Sequence, residues 1–216
     1  MLTVFRKAFA ENDLVFVPGV TNDSHGKWVN LASVRWHAPP CLSNFVALQD
    51  LYPSQLQLFV TTLNVGEATV SDIVDRLEQL SGHVTSLSDI KALLEYLNTK
   101  TTQKVFSQSI IDRLLRTDLR VIPVRTGSVV TLRSAKDVTW FVADTTILRR
   151  SFEGKLALLD FDMINSASLK PLMDKLGLQD RWLSGLAVER TEASGEDSDQ
   201  PALTEILKSK AGYISL

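Results

Sequence analysis

The chain reads as an α+β protein, on three observations. Residues 50–116 carry apolar side chains at helical spacing, interrupted by capping residues. Residues 120–159 switch to short β-branched and aromatic runs separated by turn signals. The first forty residues mix short strand-like runs with Pro and Gly punctuation. The expectation is an N-terminal helical bundle with a few short strands, followed by a small, mostly antiparallel sheet with helices.

Leu2 to Ala10 predicts a short helix, and Leu14–Val17 a strand that ends at Pro18-Gly19. Val20–Lys27 is polar and loop-like. Trp28–Leu31 and Val34–Trp36 predict two further strands, closed by Pro39-Pro40. Pro53 suits the first turn of a helix whose apolar positions are Leu56, Phe59, Val60 and Leu63. Thr69-x-x-Asp72 has the form of a capping box, with Asp in place of the usual Glu. Val70, Ile73, Val74, Leu77 and Leu80 then make one apolar face, and Gly82 stands where a helix terminates. Ser86-x-x-Asp89 opens a third helix, with Ile90, Leu93, Leu94 and Leu97 inward. Val105, Phe106, Ile110, Ile111, Leu114 and Leu115 stripe a fourth.

Arg120–Arg125 and Ser128–Leu132 flank Thr126-Gly127 as the arms of a hairpin. Val138–Val142 and Leu156–Leu159 predict two more strands. Ser168 to Leu176 predicts a helix stopped by Gly177, and Leu186–Arg190 an extended segment. These elements group as a mainly helical part over 1–118 and a strand-rich α+β part over 119–192. A flexible acidic loop over 193–200 and a C-terminal helix over 201–216 follow, the helix with Leu203, Ile206 and Leu207 on one face.

The chain has 216 residues, 44% of them hydrophobic and 22% charged, with a net charge of −2. These values suit a folded core, and no apolar run reaches the roughly 18 residues of a membrane span. The N-terminus lacks the uninterrupted apolar stretch of a signal peptide, so a cytoplasmic or nuclear location is expected. Cys41 is the sole cysteine, which excludes an intramolecular disulfide. The charge is arranged in blocks: −4 over 1–99, +6 over 100–155 and −5 over 156–200. Alternating blocks of this kind suit complementary surfaces within one protein.

Phosphate-loop, metal and nucleophile signatures are poor. Gly19–Lys27 places six residues between its glycines, where the motif has four, and follows Lys27 with Trp28, where a nucleotide-bound Mg²⁺ needs Ser or Thr. His25, His37 and Cys41 need a fourth ligand such as Asp23, and Pro39-Pro40 bars a helix between two of them. Ser184-Gly185 lacks the nucleophile elbow. Asp160 and Asp162 stand at period two, but at a strand end such residues serve turns and caps. No catalytic residue, metal ligand or cofactor is assigned. Arg113, Arg116, Arg120 and Arg125 could meet nucleic-acid phosphates, the first three along one helical side. The favoured alternative is that the basic band pairs with Asp160, Asp162 and Glu189.

Residues 140–161, WFVADTTILRRSFEGKLALLDF, and 169–191, LKPLMDKLGLQDRWLSGLAVERT, have distinctive wording. They resemble a module of large fungal proteins related to sacsin and No Vein, which carry a histidine-kinase/Hsp90-like ATPase domain. The family order is similar: a "WFIAD" strand, an "F.GK..LLDF" strand, an "L.PLL..LGL..R.LS" helix and "V.E.T". The front half of the chain matches loosely and Arg120 to Ile214 matches best. Relatives continue where this chain stops at Leu216, which implies a truncated gene product, an excised fragment or a small stand-alone descendant. The Asp-x-Gly-x-Gly turn of the ATP site is not in the sequence.

The resemblance implies a non-catalytic scaffold or protein-interaction module. It marks Trp140, Asp144, Phe152, Asp160, Arg181 and Trp182 as motif residues, and the remainder of a larger ATPase protein as partner. Asp144 and Arg181, charged among apolar neighbours, are expected to be structural. The alternatives are a nucleic-acid-binding accessory protein and a small enzyme of unknown type from a fungal gene cluster.

Overall fold

In the computed structural model, residues 2–19, 25–101, 103 and 106–187 are described. The chain opens with α1 (Leu2–Glu11), then β1 (Val15–Val17) and β2 (Lys27–Val29), which pair antiparallel. Asn30 accepts from Ala32 and Ser33 and caps a 3₁₀ turn over Leu31–Ser33, so the second predicted strand stops at Val29. β3 (Val34–Arg35) pairs parallel with β4 (Val46–Ala47), which leads into α2 (Leu48–Leu51). No local sequence signal predicts β4 or α2.

Pro53 opens a 3₁₀ turn, not an α-helix, and Gln57–Thr62 follows as a π-helix. The wide turn is closed by Leu63 N–H donating to the Leu58 carbonyl at 2.9 Å. It still buries Phe59 and Leu63, while Leu56 is exposed. Arg6 of α1 donates from Nε to the Thr62 carbonyl at 2.6 Å and so occupies an acceptor at the end of that helix. Val15, Val34, Trp36, Leu48, Phe59, Leu63 and Val65 form the small core of this N-terminal part.

The helices α3 (Val70–Leu80), α4 (Leu87–Thr99) and α5 (Gln108–Leu114) carry the apolar faces read from the sequence. The capping box is complete: Thr69 accepts from the Asp72 N–H, and Asp72 accepts from the Thr69 N–H at 2.7 Å. Gly82 follows the end of α3 at φ +80°, a conformation that strains any residue with a Cβ. Phe106 is buried but precedes α5, and Val105 lies outside the described residues.

β5 (Arg120–Thr126) and β6 (Val129–Ser134) form the expected hairpin, with Gly127 at φ +58°. β7 (Trp140–Phe141) is shorter than predicted. It connects through α6 (Thr146–Phe152), capped by Thr145, to its parallel neighbour β8 (Ala157–Leu159). The four strands run in the order β6-β5-β8-β7 and only the last pair is parallel. Alternate residues at this end of the sheet serve different clusters. Trp140, Val142 and Leu159 join the main core, while Ala143 and Leu158 meet Leu183, with Phe141, Phe152 and Leu156 packed alongside.

The predicted helix over Ser168–Leu176 is α8 (Lys170–Lys175), and a further helix that the sequence did not predict, α7 (Met163–Ser168), precedes it. Asp162 caps α7 by accepting from the Asn165 N–H at 2.7 Å, and Pro171 in the first turn of α8 marks a fresh start. Leu186 ends a short helix, α9 (Leu183–Leu186), and does not begin an extended segment. Residues 188–190 of that segment (Glu189 among them), the acidic loop and the predicted C-terminal helix lie outside the described residues.

Met1–Leu186 clusters as one compact unit. Its main core draws Leu77, Leu93 and Leu97 from the helices and Val121, Trp140 and Leu159 from the sheet. Helices and sheet therefore share apolar packing across the 118/119 boundary read from the sequence. Leu77 is fully buried there and Ile147 is 78% exposed. Leu77→Ala should cost about 3 kcal/mol in urea unfolding, and Ile147→Ala about 0.5 or less. Equal effects would contradict the placement of the core.

Candidate functional site

Asp160 follows β8, and its N–H donates to the Pro123 carbonyl at 2.8 Å. That bond continues the β5–β8 ladder and fixes where the carboxylate sits. Arg125 of β5 donates from Nε to Oδ1 at 2.6 Å, and Lys91 of α4 donates from Nζ to Oδ2 at 2.8 Å. Lys91 also lies 5.4 Å from the centroid of the Phe161 ring. Burial alone would push the Asp160 carboxyl up; the hydrogen bonds from Arg125 and Lys91, and their charges, outweigh it and hold the group below its ordinary value. Asp160 is thus an ionised, doubly bonded carboxylate that joins α4 to the sheet. Asp162 is the cap of α7, so the two carboxylates do not act as an acid–base pair.

Asp72 repeats the pattern. Its buried carboxylate completes the α3 capping box and pairs with Arg35 of β3, which also lies 4.0 Å from the Phe45 ring centroid. Burial would raise its carboxyl; bonds from Arg35 and Thr69 more than offset this and lower it. Arg113 of α5 binds Asp75 and Glu78 of α3, the latter at 2.9 Å. Arg116 binds Asp118 and reaches Glu78 at 3.4 Å. The hydrogen bond from Arg113 is the main reason that the Glu78 carboxyl is lowered.

Of the four arginines proposed to meet phosphates, Arg113, Arg116 and Arg125 are therefore engaged with carboxylates. Arg113 and Arg116 pair with the preceding acidic block and Arg125 with Asp160. Because α5 ends at Leu114, Arg116 lies in the following turn and Arg120 on β5, so the three arginines do not share a helical side.

Besides Asp160, the motif residues converge on the β7 end of the sheet. Trp140 is fully buried and donates from Nε1 to the Ser134 carbonyl at 3.1 Å. Arg181 is 6% exposed, with its guanidinium 5.3 Å from the Trp140 ring centroid and Nε 3.6 Å from the exposed Asp180 carboxylate. The Arg181 carbonyl accepts from the Val142 N–H at 2.8 Å, and Val142 and Trp182 form a parallel bridge. Asp144 accepts from the Ser184 N–H at 3.2 Å. Phe152 packs against the small cluster of Ala143, Leu158 and Leu183. These six residues hold backbone segments together.

Lys27 is on β2, opposite Val17, and the rest of the Gly19–Lys27 segment is only partly described. Among the described residues, no group of three or more His, Cys, Asp or Glu side chains is placed to hold a metal, and Asp23 lies outside them. Two features went unremarked in the sequence. Phe16 and Trp28, cross-strand partners on β1 and β2, have ring centroids 5.2 Å apart, and Trp28 is 60% exposed. A cleft of about 450 Å³ lies beside β6, lined by Thr117, Arg120, Thr131, Arg133 and Lys136 among others. The first could have been found from the alternation of Phe16 and Trp28 in short strands. The second depends on a fold that no local pattern specifies.

Residues 71–187 match the family described as Domain of unknown function (DUF8348). The chain belongs to this family. The DUF8348 segment takes in the helices α3–α9 and the whole four-stranded sheet, with the Asp160 and Arg113 clusters inside it. The Arg35–Asp72 pair links it to the N-terminal part. No curated protein and no solved structure matches the chain.

Asp160 and Asp72 are lowered in the folded DUF8348 protein from an unfolded value of about 3.9. Their contribution to stability is complete above roughly pH 4 and is lost as pH falls through the lower folded values. Asp160→Ala should cost about 3 kcal/mol at neutral pH and less at an acidic pH well below 4. Urea unfolding at both pH values checks this; an equal loss at both would remove the ion pairs from the account.

Proposed function

We propose that this DUF8348 protein is a protein-interaction module of the cytoplasm or nucleus. Its relationship to the non-ATPase region of fungal sacsin/No Vein-like proteins is part of this reading, as is a partner that supplies an ATPase domain. The observation that carries the reading is the exposed aromatic pair on the β1–β2 ribbon. A tryptophan 60% open to solvent and tilted at 56° against a phenylalanine exposes apolar surface. Tryptophan is enriched where protein interfaces concentrate their binding energy. The ribbon is shaped for display: a Cβ on Gly26 would lie 2.3 Å from Cζ of Phe16, so glycine permits the close approach of that ring. The Tyr52 hydroxyl anchors the same strand by donating to the Phe16 carbonyl at 2.7 Å.

The charged side chains support the same reading. The carboxylates and guanidiniums that suggest chemistry in the sequence join α3 to α5, α4 to β5 and β3 to α3. Nucleic-acid binding through the arginine band has less support, because three of its four members are neutralised locally.

Tagged chain purified from a fungal host should bring down a stoichiometric partner carrying an ATPase domain. Trp28→Ala should release that partner while leaving the melting temperature within about 2 °C. Partner retention by this variant, or a chain that purifies alone, would overturn the reading.

A further inference from the structure

The four-stranded sheet ends on one side at β6, which pairs only with β5 among the described residues. The orientation of its peptide groups follows from a bond two strands away. The Pro123 carbonyl accepts from Asp160, so Pro123 presents its peptide group to the β8 side. Peptide groups alternate along a strand, so Val124 points to β6 and Arg125 back to β8. Val124 opposes Thr131, whereas Pro123 and Arg125 oppose Leu132 and Val130. The ladder bonds to β5 are therefore made by Val129, Thr131 and Arg133, the partners of Thr126, Val124 and Ile122. The N–H and C=O groups of Val130 and Leu132 point outward, and neither residue makes a backbone bond outside the hairpin.

Edges of this kind add strands unless covered or charged against it. The charge beside this edge is positive. Arg120, Arg133 and Lys136 line the cleft together with a single carboxylate, Asp137, which is paired with Arg133 at 3.1 Å. Arg120 and Lys136 have no carboxylate partner among the described residues. A second copy of the chain would bring the same cations against them, which opposes pairing of β6 with β6.

We propose that the outer edge of β6 takes up an extended acidic peptide as a fifth strand, with Arg120 and Lys136 reading its carboxylates. Backbone bonds to Val130 and Leu132 give affinity that is indifferent to sequence, and the cleft selects for negative side chains. The inference rests on the interaction-module reading and places a second contact on a surface separate from Trp28.

The probes are a fluorescent peptide of about eight residues alternating threonine with glutamate, its lysine counterpart and a single-stranded oligonucleotide. The full chain should bind the acidic peptide at least about tenfold more tightly than the lysine one. Amide exchange at Val130 and Leu132 should slow on binding. Val130→Pro removes an N–H that the β5 ladder does not use, so it should abolish binding and spare the fold. The double variant R120E/K136E tests the cations without touching the backbone, and should reverse the peptide preference. Absence of acidic-peptide binding, unchanged binding by R120E/K136E or by a folded Val130→Pro, or binding of the oligonucleotide alone would overturn strand addition. A Trp28→Ala variant that loses its partner while the peptide results fail would leave the module reading in place.

Discussion

One buried carboxylate governs how the helical layer meets the sheet. Asp160 cannot sit 9% exposed and ionised without partners, because desolvation of a lone charge costs several kcal/mol. Its partners come from opposite directions, Lys91 from α4 and Arg125 from β5. Apolar packing between a helix and a sheet tolerates sliding and rotation; a shared carboxylate with two short bonds does not. The apolar side chains of the main core supply most of the cohesion, and the Asp160 cluster sets the position at which they pack. Asn98 reinforces that position further along α4, donating to the Ser168 carbonyl at 2.8 Å and accepting from the Leu172 N–H at 3.0 Å.

Ion pairs join elements at two further junctions. Arg35 and Asp72 join the N-terminal strands to the start of α3, and Arg113 ties α5 to α3. Arg181 closes the far end of the sheet by lying on Trp140, with its backbone continuing the pairing of Val142. Within the basic block, Arg113, Arg116, Arg125 and Arg133 are paired with carboxylates. The Phe16–Trp28 pair and the cations beside β6 are among the groups left at the surface.

The elements most legible in the sequence are those whose signals are local. The Thr69–Asp72 box, the apolar stripes of α3 and α4, and the β5–β6 hairpin with its Gly127 turn each depend on residues close in the chain. The elements misread lie where local propensity is neutral or is overridden. The run 57–62 has helical spacing, but its backbone widens into a π-turn whose carbonyls are taken by Arg6 and Leu63. Residues 163–168 look polar because Asn165 and Ser166 are used internally, Asn165 bonding Glu95 at 2.9 Å. For Asp160, no local pattern names its partner on the helical side. Lys91 is 69 positions away and occupies an ordinary place on an amphipathic helix.

A double-mutant cycle on Lys91 and Asp160 tests the central claim most directly. Lys91→Ala, Asp160→Ala and the double variant would be compared by urea unfolding at neutral pH. If the shared carboxylate joins α4 to the sheet, the two losses will be non-additive, with a coupling of at least about 1 kcal/mol. Additivity within about 0.3 kcal/mol would mean that the pair contributes nothing beyond its separate parts, and that apolar packing alone positions the helix.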